Sequence, residues 1–191
     1  MGTVNEIKLY RIKALVERAS LGDERSFAEL VREFQRGVWR FILMWVHNAS
    51  DAEDLTQEVF IVAWRSLPHF RGESAFSTWL LGIALNIARN HHNRSPSRRE
   101  VELPDEGGLE ALLPQDDDPS DLLERKEVLM ALDRAIAELP DELRAVIILV
   151  RLEELSLEEA AATLRVPLGT VKSRLSRARE RLAREVTAHQ L

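Results

Sequence analysis

The chain has 191 residues, 45% of them hydrophobic and 30% charged, with a formal net charge of −6, a balance that fits a globular protein of one medium or two small domains. It contains no cysteine, which excludes disulfide scaffolds, thiolate catalysis and cysteine zinc sites. No run approaches the roughly 20 apolar residues that span a bilayer, and the N-terminus lacks a signal-peptide pattern, so a cytoplasmic location is expected.

Taken in chain order, the elements are helical, with no strand-like alternation and no internal repeat. Ser20 to Gly37 places Leu21, Phe27, Leu30, Val31 and Phe34 at helical recurrence. A second helix from Gly37 to Val46 carries Trp39, Phe41, Ile42, Leu43 and Trp45 and is apolar nearly all round, which predicts burial. His47 to Ser50 is a break. Ser50-Asp51-Ala52-Glu53 has the form of a capping box and predicts a third helix that continues to about Leu67, before Pro68. Ala52, Leu55, Val59, Val62, Ala63 and Leu67 form its core face. The opposite face shows Asp54, Gln57, Glu58, Ile61 and Arg65 at steps of three and four. That face is either merely solvated or a docking surface for a basic helix.

Phe70 to Trp79 mixes a glycine, hydroxyls, an arginine and three aromatics, leading into a helix from about Ser77 to Arg94. Aromatics beside a cation suit stacking on a single nucleic-acid strand; the same aromatics also suit a core. The helix ends in a basic, polar tail (Arg89, Asn90, His91, His92, Asn93, Arg94) able to lie along phosphates.

Charge divides the chain. Residues 1–94 carry 12 basic and 11 acidic side chains, residues 95–121 carry 2 and 9, and residues 122–191 carry 12 and 12. The middle stretch, with Pro96, Pro104, Pro114 and Pro119, Gly107-Gly108 and Asp116-Asp117-Asp118, reads as an acidic flexible linker. The expected architecture is all-α, with two small helical domains at 1–94 and 122–191 joined by the linker at 95–121.

In the second domain Glu124 to Leu139 is helical up to Pro140, and Asp141 to Leu155 forms another helix. Ser156-Leu157-Glu158-Glu159 is a second capping box, opening a short helix through Leu164; Arg165-Val166-Pro167 is a turn; the last helix runs from about Leu168 to Val186. Short helix, tight turn and longer basic helix make a helix-turn-helix pattern. Leu168, Val171, Leu175, Ala178 and Leu182 repeat as one apolar stripe, leaving Thr170, Lys172, Ser173, Arg174, Ser176, Arg177, Arg179 and Arg181 outward. Between 165 and 184 there are 7 basic residues and 1 acidic one. Arginine pairs bidentately with guanine and hydroxyls reach base edges or phosphate, so this face suits a major groove.

Enzymatic constellations are missing. The glycines are scattered rather than gathered in a phosphate loop, the histidines lack metal-ligand spacing, and Asp51, Asp54 and Glu58 lie on one helix without a second ligand set. No enzyme activity, cofactor or metal is expected.

Three motifs, in order, carry a family likeness: Asp51 to Phe60 (DAEDLTQEVF); Phe70 to Trp79 (FRGESAFSTW) with Asn86; and Leu139 to Arg144 (LPDELR) with Leu155 to Glu159 and Gly169 to Arg179. Together they span nearly the whole chain, which resembles the extracytoplasmic-function group of sigma-70 type transcription initiation factors. The resemblance implies a sigma region 2 helical bundle and a sigma region 4 helix-turn-helix. It implies docking on core RNA polymerase, at the β′ coiled coil through Asp54, Gln57, Glu58 and Ile61, with the β flap as a further contact. It assigns capture of a flipped base of the −10 promoter element to Phe70, Arg71, Ile83 and Asn86. It assigns −35 reading to Thr170, Lys172, Ser173, Arg174, Ser176 and Arg177. The linker matches a segment threaded toward the RNA exit path, and an anti-sigma factor that covers the polymerase-binding surfaces is an implied partner. One residue departs from the family pattern: Arg165 stands in the turn where a glycine is usual, and a left-handed turn conformation there costs about 1 kcal/mol for a residue with a side chain. The alternative function is a free-standing helix-turn-helix regulator that binds duplex operators unaided; a regulatory enzyme fused to a DNA-binding module is disfavoured by the missing catalytic groups.

Overall fold

The computed structural model describes residues 2–94 and 131–188. Among them all regular structure is helical: α1 (Gly2–Ser20), α2 (Glu24–Val46), α3 (Ala49–Ser66), a 3-10 turn at Leu67–His69, α4 (Phe76–Arg94), α5 (131–137), α6 (Asp141–Ile147, continuing as a wider π turn over Ile148–Leu152), α7 (Leu157–Leu164) and α8 (Leu168–Ala188). The all-α architecture in two helical units is as the sequence indicated. The acidic linker at 95–121 and the first part of the helix expected from Glu124 lie outside the described residues.

α1 was not anticipated. Its signal is the recurrence Ile12, Leu15, Val16 and Ala19, of which the last three are buried. The Lys8 ammonium meets the Glu33 carboxylate at 2.7 Å and ties α1 to α2. The break expected at Gly37 does not occur, because α2 runs through it unbroken. A lone glycine inside a helix costs about 1 kcal/mol against alanine. Val38, Phe41, Ile42, Leu43, Met44 and Trp45 are all buried just beyond it, each contributing on the order of 1.5–3 kcal/mol. Burial outweighs the glycine.

α2 is closed at its start by Asp23, whose carboxylate accepts from the Arg25 N–H and the Ser26 hydroxyl. It ends at His47, a left-handed residue (φ 51°) whose N–H returns to the Leu43 carbonyl at 2.8 Å. This bend throws Asn48 into an extended conformation, and its side-chain oxygen accepts from the Asp51 N–H at 2.9 Å. The cap of α3 is therefore Asn48 rather than Ser50. Asn and Ser cap about equally well, so the position of the α2 terminus decides between them. The core face of α3 is as read, with Ala52, Leu55, Val59, Ala63 and Leu67 buried, Val62 half-buried, and Thr56 and Phe60 added. Edge-on and tilted aromatic contacts, Phe27 with Phe60 and Trp64 and Phe34 with Phe76, lock α2 to α3 and α4.

In the second half the capping box at Ser156 forms in both directions. The Glu159 N–H donates to the Ser156 hydroxyl oxygen, and the Ser156 N–H donates to the Glu159 carboxylate. α7 ends in a Schellman turn, with Val166 N–H on the Ala161 carbonyl and Arg165 N–H on the Ala162 carbonyl. Arg165 occupies its left-handed position (φ 54°, ψ 45°), so the turn keeps the usual geometry and carries the cost. Val171, Leu175 and Ala178 of α8 are buried against α6 and α7, with Leu168 and Leu182 half-buried at the ends of the stripe. The hydrophobic core is continuous from α1–α4 into α5–α8.

Candidate polymerase and nucleic-acid interfaces

Three surfaces carry the residues singled out by sequence. On α3, Asp54, Gln57, Glu58 and Arg65 are exposed, and Ile61 is 51% exposed among them. A large aliphatic side chain standing in water within a carboxylate-rich stripe is shaped for an apolar contact flanked by cations.

The second surface begins at the loop before α4. The Phe70 ring lies 4.9 Å from Trp79 and 6.1 Å from Phe76. Phe76 is buried, while Phe70 and Trp79 are half-buried, so the cluster is partly core and partly platform. Trp79, Ile83 and Asn86 follow one another at helical steps of four and three, which continues the Phe70 edge along α4. Asn86 is exposed and Ile83 half-buried. Arg71 stands at the other end, its guanidinium 3.9 Å from Glu73 and mostly in solvent. Its neighbour Gly72 has φ 70°, a left-handed bend that glycine adopts without strain. The structure thus brings Phe70, Ile83 and Asn86 onto one face and adds Trp79, which the sequence reading placed in the aromatic loop but not in the site. The signal was present in its spacing from Ile83 and Asn86.

The basic tail of α4 is not available for phosphates as read. The Arg89 guanidinium turns onto the Trp45 ring at 5.8 Å, His91 Nε2 faces Asp51 at 3.4 Å, and His92 Nε2 faces Asp141 at 3.9 Å. Indole and carboxylates close at hand draw these groups inward.

The third surface is α8. Lys172, Ser173, Ser176, Arg177, Arg179 and Arg181 are exposed, as expected for a reading helix. Two residues expected outward differ. Thr170 is half-buried, and Arg174 folds back so that its Nη2 meets the Glu142 carboxylate at 3.3 Å, leaving the side chain 20% exposed. The Ser173 hydroxyl donates to the Thr170 carbonyl at 3.0 Å and retains its acceptor lone pairs.

Electrostatics concentrate where the halves meet. His47 is pushed down to about 4, first by burial and then by the Arg144 and His92 charges; its Nδ1 lies 3.8 Å from Asp133. Arg144 is buried, and desolvation lowers its affinity for a proton. Its guanidinium donates to the Ala137 and Leu139 carbonyls, orphan acceptors at the end of α5, and lies 5.5 Å from the Trp45 ring. Glu153 is raised by burial, against the lowering influence of Arg40.

Comparison with known proteins decides the family. Sigma-70 region 2 matches residues 30–98 and sigma-70 region 4 matches residues 129–182. The RNA polymerase sigma-H factor of Pseudomonas aeruginosa is 40% identical over 171 residues, covering 87% of this chain and 89% of that protein. The chain belongs to the sigma-70 family of transcription initiation factors. The ECF RNA polymerase sigma-E factor of Escherichia coli is 38% identical over 179 residues, 91% of this chain and 93% of its own, placing the sigma factor in the extracytoplasmic-function group. Among solved structures it is similar to CnrH in complex with the cytosolic domain of CnrY, with a TM-score of 0.68 and 25% identity over 93% of this chain and 98% of that one. The sigma factor RpoE in complex with the anti-sigma factor NepR from Bartonella quintana has a TM-score of 0.65 and 25% identity over 85% of this chain and 98% of its own. Sigma factors confer promoter choice on RNA polymerase and are not enzymes. No described helix is long and apolar enough to cross a membrane.

Proposed function

We propose that this sigma factor binds core RNA polymerase through the α3 face, with Asp54, Gln57 and Glu58 ringing Ile61 against the β′ coiled coil. The first unit, residues 1–94, holds the melted −10 strand. A flipped base stacks on the Phe70 edge beside Ile83, takes hydrogen bonds from Asn86, and is flanked by the Arg71 guanidinium near the phosphates. Extruding a base costs a few kcal/mol, and stacking returns about 1–3 kcal/mol per base. The second unit, residues 122–191, lays α8 in the −35 major groove with Thr170, Lys172, Ser173, Arg174, Ser176 and Arg177, and contacts the β flap. Residues 95–121 connect the two as a linker that passes toward the RNA exit path. The factor acts in the cytoplasm, and an anti-sigma factor that covers the polymerase-binding surfaces holds it inactive.

The observation that carries this reading is the pairing of an exposed carboxylate-and-isoleucine face on α3 with an exposed cationic face on α8, in one chain. Run-off transcription with purified core polymerase tests it, on a promoter selected from genomic fragments. Transcripts should depend on the protein and fall at least ten-fold with both Asp54→Lys and Arg177→Ala. Transcription untouched by either change, or specific opening of promoter DNA without polymerase, overturns it. The anti-sigma partner is tested by affinity capture from native cells: no partner under any growth condition removes that part.

A further inference from the structure

We infer that the middle of the α8 face reads exocyclic amines, the N6 group of adenine or the N4 group of cytosine, and that Glu180 is a specificity-determining residue that fixes this polarity. The inference deepens the −35 reading proposed above and rests on it. Val171, Leu175 and Ala178 bury one side of α8. On the side away from them Ser173, Ser176 and Glu180 recur at steps of three and four, and all three are exposed. They form the central line of the outward face. Exposed Lys172 and Arg179 stand along one edge of this line, and Arg177 and Arg181 along the other.

Both serine protons are committed inside the protein. The Ser173 hydroxyl donates to the Thr170 carbonyl at 3.0 Å, and the Ser176 hydroxyl donates to the Glu180 carboxylate at 3.4 Å. A hydroxyl has one proton and two lone pairs, so each oxygen is left to accept. An ionised carboxylate only accepts, and it draws a hydroxyl proton more strongly than a neutral acceptor does. Turning the Ser176 hydroxyl round to donate outward would set its lone pairs against the Glu180 charge. Arg184, 4.0 Å from Glu180 and one turn further on, steadies that carboxylate. The middle of the face therefore offers a groove three acceptors in a row, with N–H donors kept to its edges.

The major groove carries a matching code. Its donors are the amines of adenine and cytosine, while purine N7, guanine O6 and thymine O4 all accept. Each base pair displays one amine, so a line of acceptors senses which strand carries it. The paired thymine or guanine presents O4 or O6 instead, which suits the cationic edges. Ser173 to Ser176 spans about 4.5 Å along the axis and Ser176 to Glu180 about 6 Å, at roughly 1.5 Å per residue. With base pairs stacked about 3.4 Å apart, the three acceptors address separate pairs. Glu180, the one acidic residue between 165 and 184, is thus a reader placed among phosphate-binding cations.

The test uses holoenzyme assembled from the full chain and purified core polymerase, on the −35 element it selects from randomised duplexes. At each selected position the amine is deleted, with 2-pyrimidinone for cytosine or unsubstituted purine for adenine. The purine N7 acceptor is deleted separately, with 7-deaza analogues. Removing an amine also weakens the base pair, so each loss is scored as the difference between wild type and variant. Amine deletion should weaken wild-type binding by about five-fold more than variant binding, the worth of one hydrogen bond. Ser173→Ala and Ser176→Ala should each abolish that excess at one position. Glu180→Ala should abolish it at two neighbouring positions, its own and that of Ser176, whose freed hydroxyl can then donate. A serine-dependent loss that follows N7 deletion instead overturns the inference, as does a Glu180→Ala variant that binds every sequence more tightly by the same factor. Either result leaves α8 standing as the −35 reader. If no −35 sequence is selected, or selection survives Arg177→Ala together with all three changes, α8 is not the reader and the proposed function falls with the inference.

Discussion

Glu142 holds Arg174 at 3.3 Å, so a guanidinium on the reading face of α8 is turned toward α6 of its own unit. The carboxylate is largely exposed (68%), and such pairs contribute only about 0–1 kcal/mol. A phosphate or a guanine edge therefore competes readily for the arginine. Glu142→Gln should tighten binding of a −35 duplex by a factor of about 2–5 at low salt, with the gain shrinking as salt screens the pair. Fluorescence anisotropy across a salt series checks this; unchanged affinity at low salt would mean Arg174 does not contact DNA.

Arg165 sits left-handed at the end of α7 and is exposed. Arg165→Gly should stabilise the protein by up to about 1 kcal/mol, since glycine adopts that conformation without the steric cost. In a chain of this size the melting temperature should rise by about 2–4 °C, measurable by calorimetry. Because the Schellman bonds are already formed by Arg165 and Val166, the aim of α8 and the preferred −35 sequence should not change.

Glu159 joins two structures, capping Ser156 and accepting from Thr78 across the interface. The Ser156 backbone and hydroxyl, and then Thr78, hold its carboxyl below the usual range. A depressed carboxylate gives stability that is present above its unfolded value and is lost as pH falls through its folded value. Ser156→Ala should cost about 1 kcal/mol through the cap alone. Glu159→Ala should cost more than Ser156→Ala, and the excess should vanish in a Thr78→Val background; a double-mutant cycle by urea denaturation reads it.

His47 supplies an acid-sensitive element. Its folded value of about 4 lies below the ordinary histidine value of 6.5, so between those pH values the unfolded chain binds a proton that the native state refuses. Stability therefore rises with pH across that window and falls on acidification, by about 3 kcal/mol from this group in full. The charged groups around it are Arg144 on α6, His92 on α4 and Asp133 on α5. His47→Asn keeps a residue that tolerates φ 51° and removes the titration. Its unfolding free energy should be flatter than wild type between pH 6.5 and 4.5, measured by denaturant titration at each pH.

Helical periodicity and capping chemistry were legible because they depend on neighbours within one or two turns. The α3 face, the α8 stripe and the Ser156 box follow from residue spacing alone. What periodicity misplaced were boundaries governed by tertiary burial, such as the continuous α2 across Gly37 and the Asn48 cap set by where His47 ends the preceding helix. Arg174 and Arg89 also read as outward cations, since their spacing on α8 and α4 carries no information about Glu142 or Trp45.

The amino-acid sequence by itself determined the helices, the division of charge along the chain and the family motifs, because each of these is written in short-range pattern. Only the tertiary structure decided that Trp45 and Arg144 meet, that Thr78 reaches Glu159, and that α4 lies against α7. Those contacts join residues far apart in the sequence, 81 positions in the case of Thr78 and Glu159, and their energy comes from removing both partners from water together, which no local pattern encodes.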